Sequence, residues 1–313
     1  MRRAPNARRE QLADPSQRRV HGPVACSLGQ FRLVLTAIGL IWDTQEDKIR
    51  KKSMPIPYFQ VNAFTSDPFG GNPAGVCLLD QWLPDPLLQQ IAAENDLSET
   101  AFLVPEQGFH HLRWMTPTTE VDLCGHATLA SAHVLFFERN YPEDRLVFQT
   151  RSGRLAATRR NGMVELDFPS REPRSCPVPA LLLQGLGGQP LEVLKSRDYL
   201  AVFRSAEDVA ALRPDPGLLC QLDSLGVIVT APGDDVDFVS RFFAPKVGVP
   251  EDPVTGSAHC SLIPYWSSRL KKAELRARQI SKRGGELHCR FLGERVGISG
   301  QARTYCRGEL RIP

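Results

Sequence analysis

Two short stretches of this chain have the residue types to hold a small anion, and both follow one plan. Gly125-His126-Ala127 and Gly256-Ser257-Ala258 each open a run with helical apolar spacing, over 126–139 and 257–270. A helix start offers free backbone N–H groups and the positive end of a dipole, which suit a carboxylate or an oxyanion. Glycine there lets the chain turn sharply and lets a ligand come close. The match continues upstream. Arg113-Trp114-Met115-Thr116-Pro117 precedes Glu120, and Arg241-Phe242-Phe243-Ala244-Pro245 precedes Glu251. In both copies Glu lies five residues before Gly, and only the Pro-to-Glu spacing differs, by three. Internal repetition fixes architecture. It predicts two related lobes that turn paired helix starts toward a shared cleft.

One carboxylate also has a setting for chemistry. Glu99 stands between Ser98 and Thr100 at the mouth of a predicted strand, 98–103. Apolar neighbours would partly desolvate it and poise it for proton transfer.

The elements that must position these groups are mostly strands. Strands are predicted at 58–61, 199–203, 225–230, 287–292, 296–298 and 304–312, with alternation through Val236, Phe238, Ser240 and Phe242. Asn161-Gly162 signals a two-residue hairpin before Val164, Leu166 and Phe168. Asp85-Pro86 predicts a capped amphipathic helix, and Ser205 a helix cap. Four prolines across 169–179 mark a linker. Strands and helices do not alternate regularly, so the class is α+β rather than a doubly wound parallel sheet.

A chain of 313 residues is long enough for two lobes with real cores. Hydrophobic content of 42% and charged content of 23% fit a globular protein. The net charge of +3 is uneven. Residues 1–53 carry 11 basic and 5 acidic residues, leaving 27 basic and 30 acidic in the rest. A mildly acidic body makes no electrostatic case for nucleic acid. The head reads as a disordered basic extension, with Met54 opening the first strand. Its one apolar run, residues 33–42, is too short for a membrane span of about 20 residues. Eight scattered cysteines show no C-x-x-C pair and no zinc-ligand spacing, so reduced thiols and a cytoplasmic setting are expected.

Four blocks, Gly71-Asn72-Pro73-Ala74-Gly75-Val76, Ser98-Glu99-Thr100-Ala101-Phe102, Leu123-Cys124-Gly125-His126-Ala127-Thr128 and 251–259, occur in this order. Together they resemble the PhzF family, the phenazine biosynthesis-like isomerases. The resemblance runs from Pro57 to about Ile312. It looks strongest toward animal members, also called MAWD-binding proteins. It implies a diaminopimelate epimerase-like fold: two pseudo-symmetric lobes, each a curled mixed sheet around a central helix. The lobes would be 54–168 with 301–313, and 175–300. The resemblance makes Glu99 the general acid/base, with His126, Asp252 and Ser257 as further polar site residues. It places Asn72, Gly125, Ala127, Gly256 and Ala258 against a small anionic substrate.

Amino-acid epimerases of this fold use two facing thiols. Here Cys124 has Thr255 as its counterpart, and a hydroxyl is a poor acid/base. That route is broken, and Cys124 is expected to pack. No Walker loop, G-x-G-x-x-G or metal motif appears. The expected activity is therefore a cofactor-independent isomerisation, in a homodimer as the family implies. The alternative is a catalytically silent scaffold that binds a partner such as a WD-repeat protein.

Overall fold

The computed structural model describes residues 55–312; the basic head and Met54 lie outside the described residues. In the first lobe β1 (Ile56–Ala63), β2 (Asn72–Leu78), β3 (Glu99–Glu106) and β4 (Phe109–Met115) precede a short β5 (Glu120–Val121). The first central helix (Gly125–His133) follows, then β6 (Arg145–Thr150), β7 (Gly153–Arg160) and β8 (Met163–Pro169). After β9 (Arg174–Ser175), the second lobe runs β10 (Glu192–Lys195), β11 (Tyr199–Val202), β12 (Val227–Pro232), β13 (Phe238–Ala244) and β14 (Val249–Asp252). Its central helix (Gly256–Leu270) leads to β15 (Glu274–Gln279), β16 (Gly285–Phe291) and β17 (Arg295–Gly300). Last comes β18 (Ala302–Leu310).

The pairing repeats strand for strand. In the first lobe β1–β2, β3–β4, β6–β7 and β7–β8 are antiparallel, while β2–β3 and β4–β6 are parallel. In the second, β10–β11, β12–β13, β15–β16 and β16–β17 are antiparallel, while β11–β12 and β13–β15 are parallel. This is the α+β fold of two pseudo-symmetric lobes. A β8–β17 ladder joins the halves. Each half also closes on a strand that follows the other half in the chain: β18 pairs with β1, and β9, inside the proline-rich stretch, pairs with β10.

The repeated Arg and Glu explain themselves here. Arg113 makes a two-pronged bond to Glu120, 2.8 and 2.6 Å, and Arg241 makes one to Glu251, 2.7 and 2.9 Å. Each clamp ties a long strand to the short strand that feeds the central helix. These carboxylates are spent on geometry.

The central helices are buried because the sheets curl around them. Every residue from Gly125 to Ala132 is buried, so in place of a single apolar face the helix is enclosed all round, its polar His126, Thr128 and Ser131 included. Phe137, inside the predicted run 126–139, is exposed, in the stretch Val134–Glu138 where the helix widens into a π turn. Pro264 sits inside the second helix and cannot donate to the carbonyl of Cys260; the Arg171 N–H takes that carbonyl at 2.9 Å.

Local signals held where turn chemistry was explicit. Asn161 and Gly162 have φ of 52° and 75°, and Arg160 faces Met163 across the hairpin. Ser205 caps its helix by accepting from the Asp208 N–H. Asp85 does not cap: the helix is preceded by Pro84, and the Asp85 carboxylate bonds Arg113 instead. That single charge-assisted bond, from the Nη1 that the Glu120 clamp leaves over, takes the carboxylate away from the helix N–H groups.

Candidate active site

The two helix starts meet. A Cβ on Gly125 would lie 3.0 Å from the Gly256 Cα, and one on Gly256 would lie 3.1 Å from the Gly125 Cα. Neither helix has a side-chain cap, so no side chain spends the N–H groups of their first turns. Ala127 and Ala258 are fully buried behind them. Only glycine permits this approach of two backbones.

Around that contact the structure gathers residues from four places in the chain. Glu99 opens β3 and brings its Oε2 to 3.1 Å from His126 Nε2. The distance suits an ion pair, but the pair is not aligned as a hydrogen bond, and Oε2 has no hydrogen-bond partner among the described residues. Asn72, which opens β2, points its amide nitrogen at His126 Nδ1 (3.0 Å), Asp252 Oδ1 (2.8 Å) and the Val254 carbonyl (2.9 Å). Asp252 Oδ2 accepts from the Thr255 hydroxyl at 2.5 Å. Glu99, His126, Asn72 and Asp252 thus form one cluster, with the first lobe supplying three and the second lobe the fourth.

Ser257 goes elsewhere. Its hydroxyl accepts from Arg197 at 3.1 Å, and Arg197 also binds Asp198 at 2.8 Å. Its place at the helix start is as expected; its hydroxyl is not wired to the Glu99 cluster.

Sequence reasoning passed over Gln279 and gave Thr255 and Cys124 no part in the site. Gln279, wholly buried at the end of β15, donates to the Asp252 carbonyl and to Thr255 Oγ1, and accepts from the Thr255 N–H. Thr255, set aside as a failed thiol, is the hydrogen-bond donor that holds Asp252. Cys124 faces His126 as well as packing, with Sγ 3.6 Å from Nδ1. Nothing in a lone glutamine or threonine advertises such roles.

Electrostatics distinguishes the groups. Burial pushes the Cys124 thiol up to about 11, so it is protonated at neutral pH. Burial likewise raises Asp252 to about 6, with Glu99 adding to the shift and His126, Thr255 and Asn72 opposing it. Burial disfavours a charged His126 and the Glu99 carboxylate favours one; the Cys124 thiol, itself protonated, adds no charge, and the Asn72 N–H aimed at Nδ1 suits the neutral ring. With Cys124 a thiol, the Glu99 carboxylate is the group able to hold an imidazolium. In the neutral ring, the amide donor facing Nδ1 assigns the proton to Nε2, toward Glu99.

The donor atoms of Glu99, Cys124 and His126 gather within 4.8 Å. Burial keeps the Cys124 thiol protonated at neutral pH and Nδ1 of His126 already faces the Asn72 amide donor, so the three groups make a poor cation site. His133 and His259 stand apart from the cluster: His133 bonds Thr304 and His259 bonds the Thr255 carbonyl.

Doubled lobes with two helix starts at their junction have the diaminopimelate epimerase-like fold. Residues 61–308 match the family model described as phenazine biosynthesis-like protein, and the chain belongs to that PhzC–PhzF family. An uncharacterized isomerase of Pseudomonas aeruginosa is 54% identical, covering 83% of this chain and all of the relative. A human phenazine biosynthesis-like domain-containing protein is 40% identical over 82% of this chain and 99% of its own. The bacterial relative is thus nearer than the animal one, which corrects the expected leaning toward animal members. A crystal structure of a PhzF-family protein from Enterococcus faecalis, 48% identical, superposes with a TM-score of 0.81, covering 83% of this chain and all of that one. The protein is a PhzF-family isomerase. Among the described residues no helix is long and apolar enough to cross a membrane.

Proposed function

We propose that this isomerase moves a proton on a small carboxylated substrate through Glu99, without a cofactor. The observation that carries the reading is the Glu99 oxygen, buried, unpartnered and 3.1 Å from His126 beside two uncapped helix starts. The N–H groups around Gly125 and Gly256 would bind the substrate carboxylate and the negative charge that spreads onto it when a neighbouring carbon loses its proton. Glu99 would take that proton as a carboxylate and return it, from the neutral acid, to a different carbon. No electron leaves the substrate, and no co-reactant is consumed. His126 would hold Glu99 in place and stabilise the carboxylate before transfer. Asp252, raised toward neutral pH, would accept or donate a hydrogen bond to a polar substituent on the substrate.

The experiment has two stages. Small carboxylic acids are screened by thermal shift, and a stabilising acid should lose much of its effect in Ser257→Ala. The stabilising acid is then incubated with enzyme in deuterated water and followed by NMR. Wild type should incorporate deuterium at carbon. Glu99→Gln, folded and still stabilised by the acid, should exchange about 10²–10⁴-fold more slowly. Exchange at the wild-type rate in Glu99→Gln would remove Glu99 from the mechanism.

A further inference from the structure

The residue that sets the cluster, Asn72, is itself held from the opposite lobe. Gly70 and Gly71 precede it, and their carbonyls accept from Arg283 Nη2 at 2.8 Å and Nε at 2.7 Å. The Gly71 N–H donates back to the Gly284 carbonyl at 2.9 Å. Gly71 has φ +66°, and a Cβ there would meet the Ala63 carbonyl at 2.3 Å, so the bend that presents both carbonyls to Arg283 requires glycine. The far side of the same turn is tied to the other arm of the site: the Ser281 hydroxyl donates to the Pro253 carbonyl at 2.7 Å. Asn72 reaches the next carbonyl, of Val254, from the first lobe. The turn 281–284 therefore grips the segment before Asn72 with one end and the segment after Asp252 with the other.

We infer that Arg283 is a positioning residue for the proton-transfer centre: by clamping Gly70 and Gly71 it fixes Asn72, and through Asn72 the tautomer and orientation of His126. The chain of cause is short. A charge-assisted fork to two consecutive carbonyls fixes both position and direction. The Asn72 amide has two hydrogens and three acceptors in reach, so small displacements decide whether Nδ1 of His126 receives one. If Nδ1 is not fed, the neutral ring can move its proton from Nε2 to Nδ1, where Cys124 Sγ lies at 3.6 Å, and Glu99 loses its facing N–H. The groups that bear on the ring are Glu99, Cys124, Asp252 and Asn72; Arg283 touches none of them except through Asn72. Its catalytic meaning rests on the proposed Glu99 reading, while its effect on the ring does not.

The test is ¹⁵N NMR of the His126 imidazole in the full-length protein, with Arg283→Gln and Arg283→Lys compared with wild type. Arg278→Gln is the control: Arg278 lines the same surface cleft of about 510 Å³ but pairs with Asp235 and Glu286. Wild type and Arg278→Gln should show one protonated Nε2 in the neutral ring. Arg283→Gln should show a mixture of tautomers, Arg283→Lys a smaller one, and deuterium exchange on a stabilising acid should fall about ten- to a hundredfold in Arg283→Gln. An unchanged His126 spectrum in both Arg283 variants, or an equal change in Arg278→Gln, would overturn the assignment. If Arg283→Gln does not fold, Arg283→Lys decides alone. A shifted tautomer with no measurable exchange even in wild type would keep the clamp and reject the Glu99 reading.

Discussion

The two lobes share a frame and divide the labour. Aligning the repeats through their strand registers sets Arg113 against Arg241, Glu120 against Glu251 and Gly125 against Gly256. These matched residues are clamps and backbone contacts. Where the site is built the copies differ: Glu99 falls opposite Gly226, His126 opposite Ser257 and Cys124 opposite Thr255, and in the buried turn behind them Thr128 falls opposite His259. Duplication has preserved what builds a helix start and released what sits on it. Acid/base groups concentrate on the first lobe, and the second supplies buttresses.

That division should show first in catalysis. His126→Ala should slow deuterium exchange about 10²–10⁴-fold, whereas its counterpart Ser257→Ala should slow it less than about tenfold, acting mainly on affinity. Equal losses would make the lobes catalytic equals.

The next largest effect concerns pH. Thr128 and His259 both bond the carbonyl of the residue before their helix, Cys124 at 2.5 Å and Thr255 at 2.8 Å. The second lobe does so with a group that titrates. Burial lowers His259 to about 4 from 6.5, so its contribution is intact above pH 6.5 and is lost as pH falls toward 4, by about 3 kcal/mol. Asp252 runs the other way, raised from 3.8 to about 6 and losing stability as pH rises through that window. The difference between wild type and His259→Thr isolates the histidine. Denaturant midpoints from pH 7 to 4 should fall less steeply in the variant, and parallel curves would refute the assignment.

The clamps come third. Arg241→Met should destabilise by about 3 kcal/mol, because Glu251 is left partly buried and the carbonyls of Val209 and Leu212 lose their donor. Arg113→Met should cost less, since Arg151 also reaches Glu120 at 2.7 Å. Urea unfolding of the pair measures the ordering. The smallest effect is the most symmetric. Gly125→Ala and Gly256→Ala push on one backbone contact from opposite sides, and each should cost about 1–2 kcal/mol.

Much of this was legible beforehand. The repeated Gly-x-Ala blocks announced paired helix starts, and the family motifs brought Glu99, His126, Asp252 and Asn72 into one list that the structure gathers into one cluster. What could not be read depends on distance along the chain. Gln279 reaches Thr255 and Asp252 from a later strand, and Arg197 reaches Ser257 across 60 positions. A polar side chain bound so far away leaves no periodic trace. Strands β4 and β6 escaped for another reason. His110 shares a face of β4 with the buried Leu112 and Trp114, and in β6 the apolar Val147 lies on the face opposite the buried Leu146 and Phe148, so neither strand shows the apolar–polar alternation on which strand recognition rests.

The exchange of closing strands has a consequence for how the protein is made. Ile56 lies beside Leu310 and Ala63 beside Ala302, so the sheet begun by β1 is finished by a strand made only after the whole second lobe. Until then β1 presents a bare hydrogen-bonding edge, the kind that recruits neighbouring chains. Assembly of the first lobe must therefore wait until β18 has been made, and loss of that strand would be felt at β1.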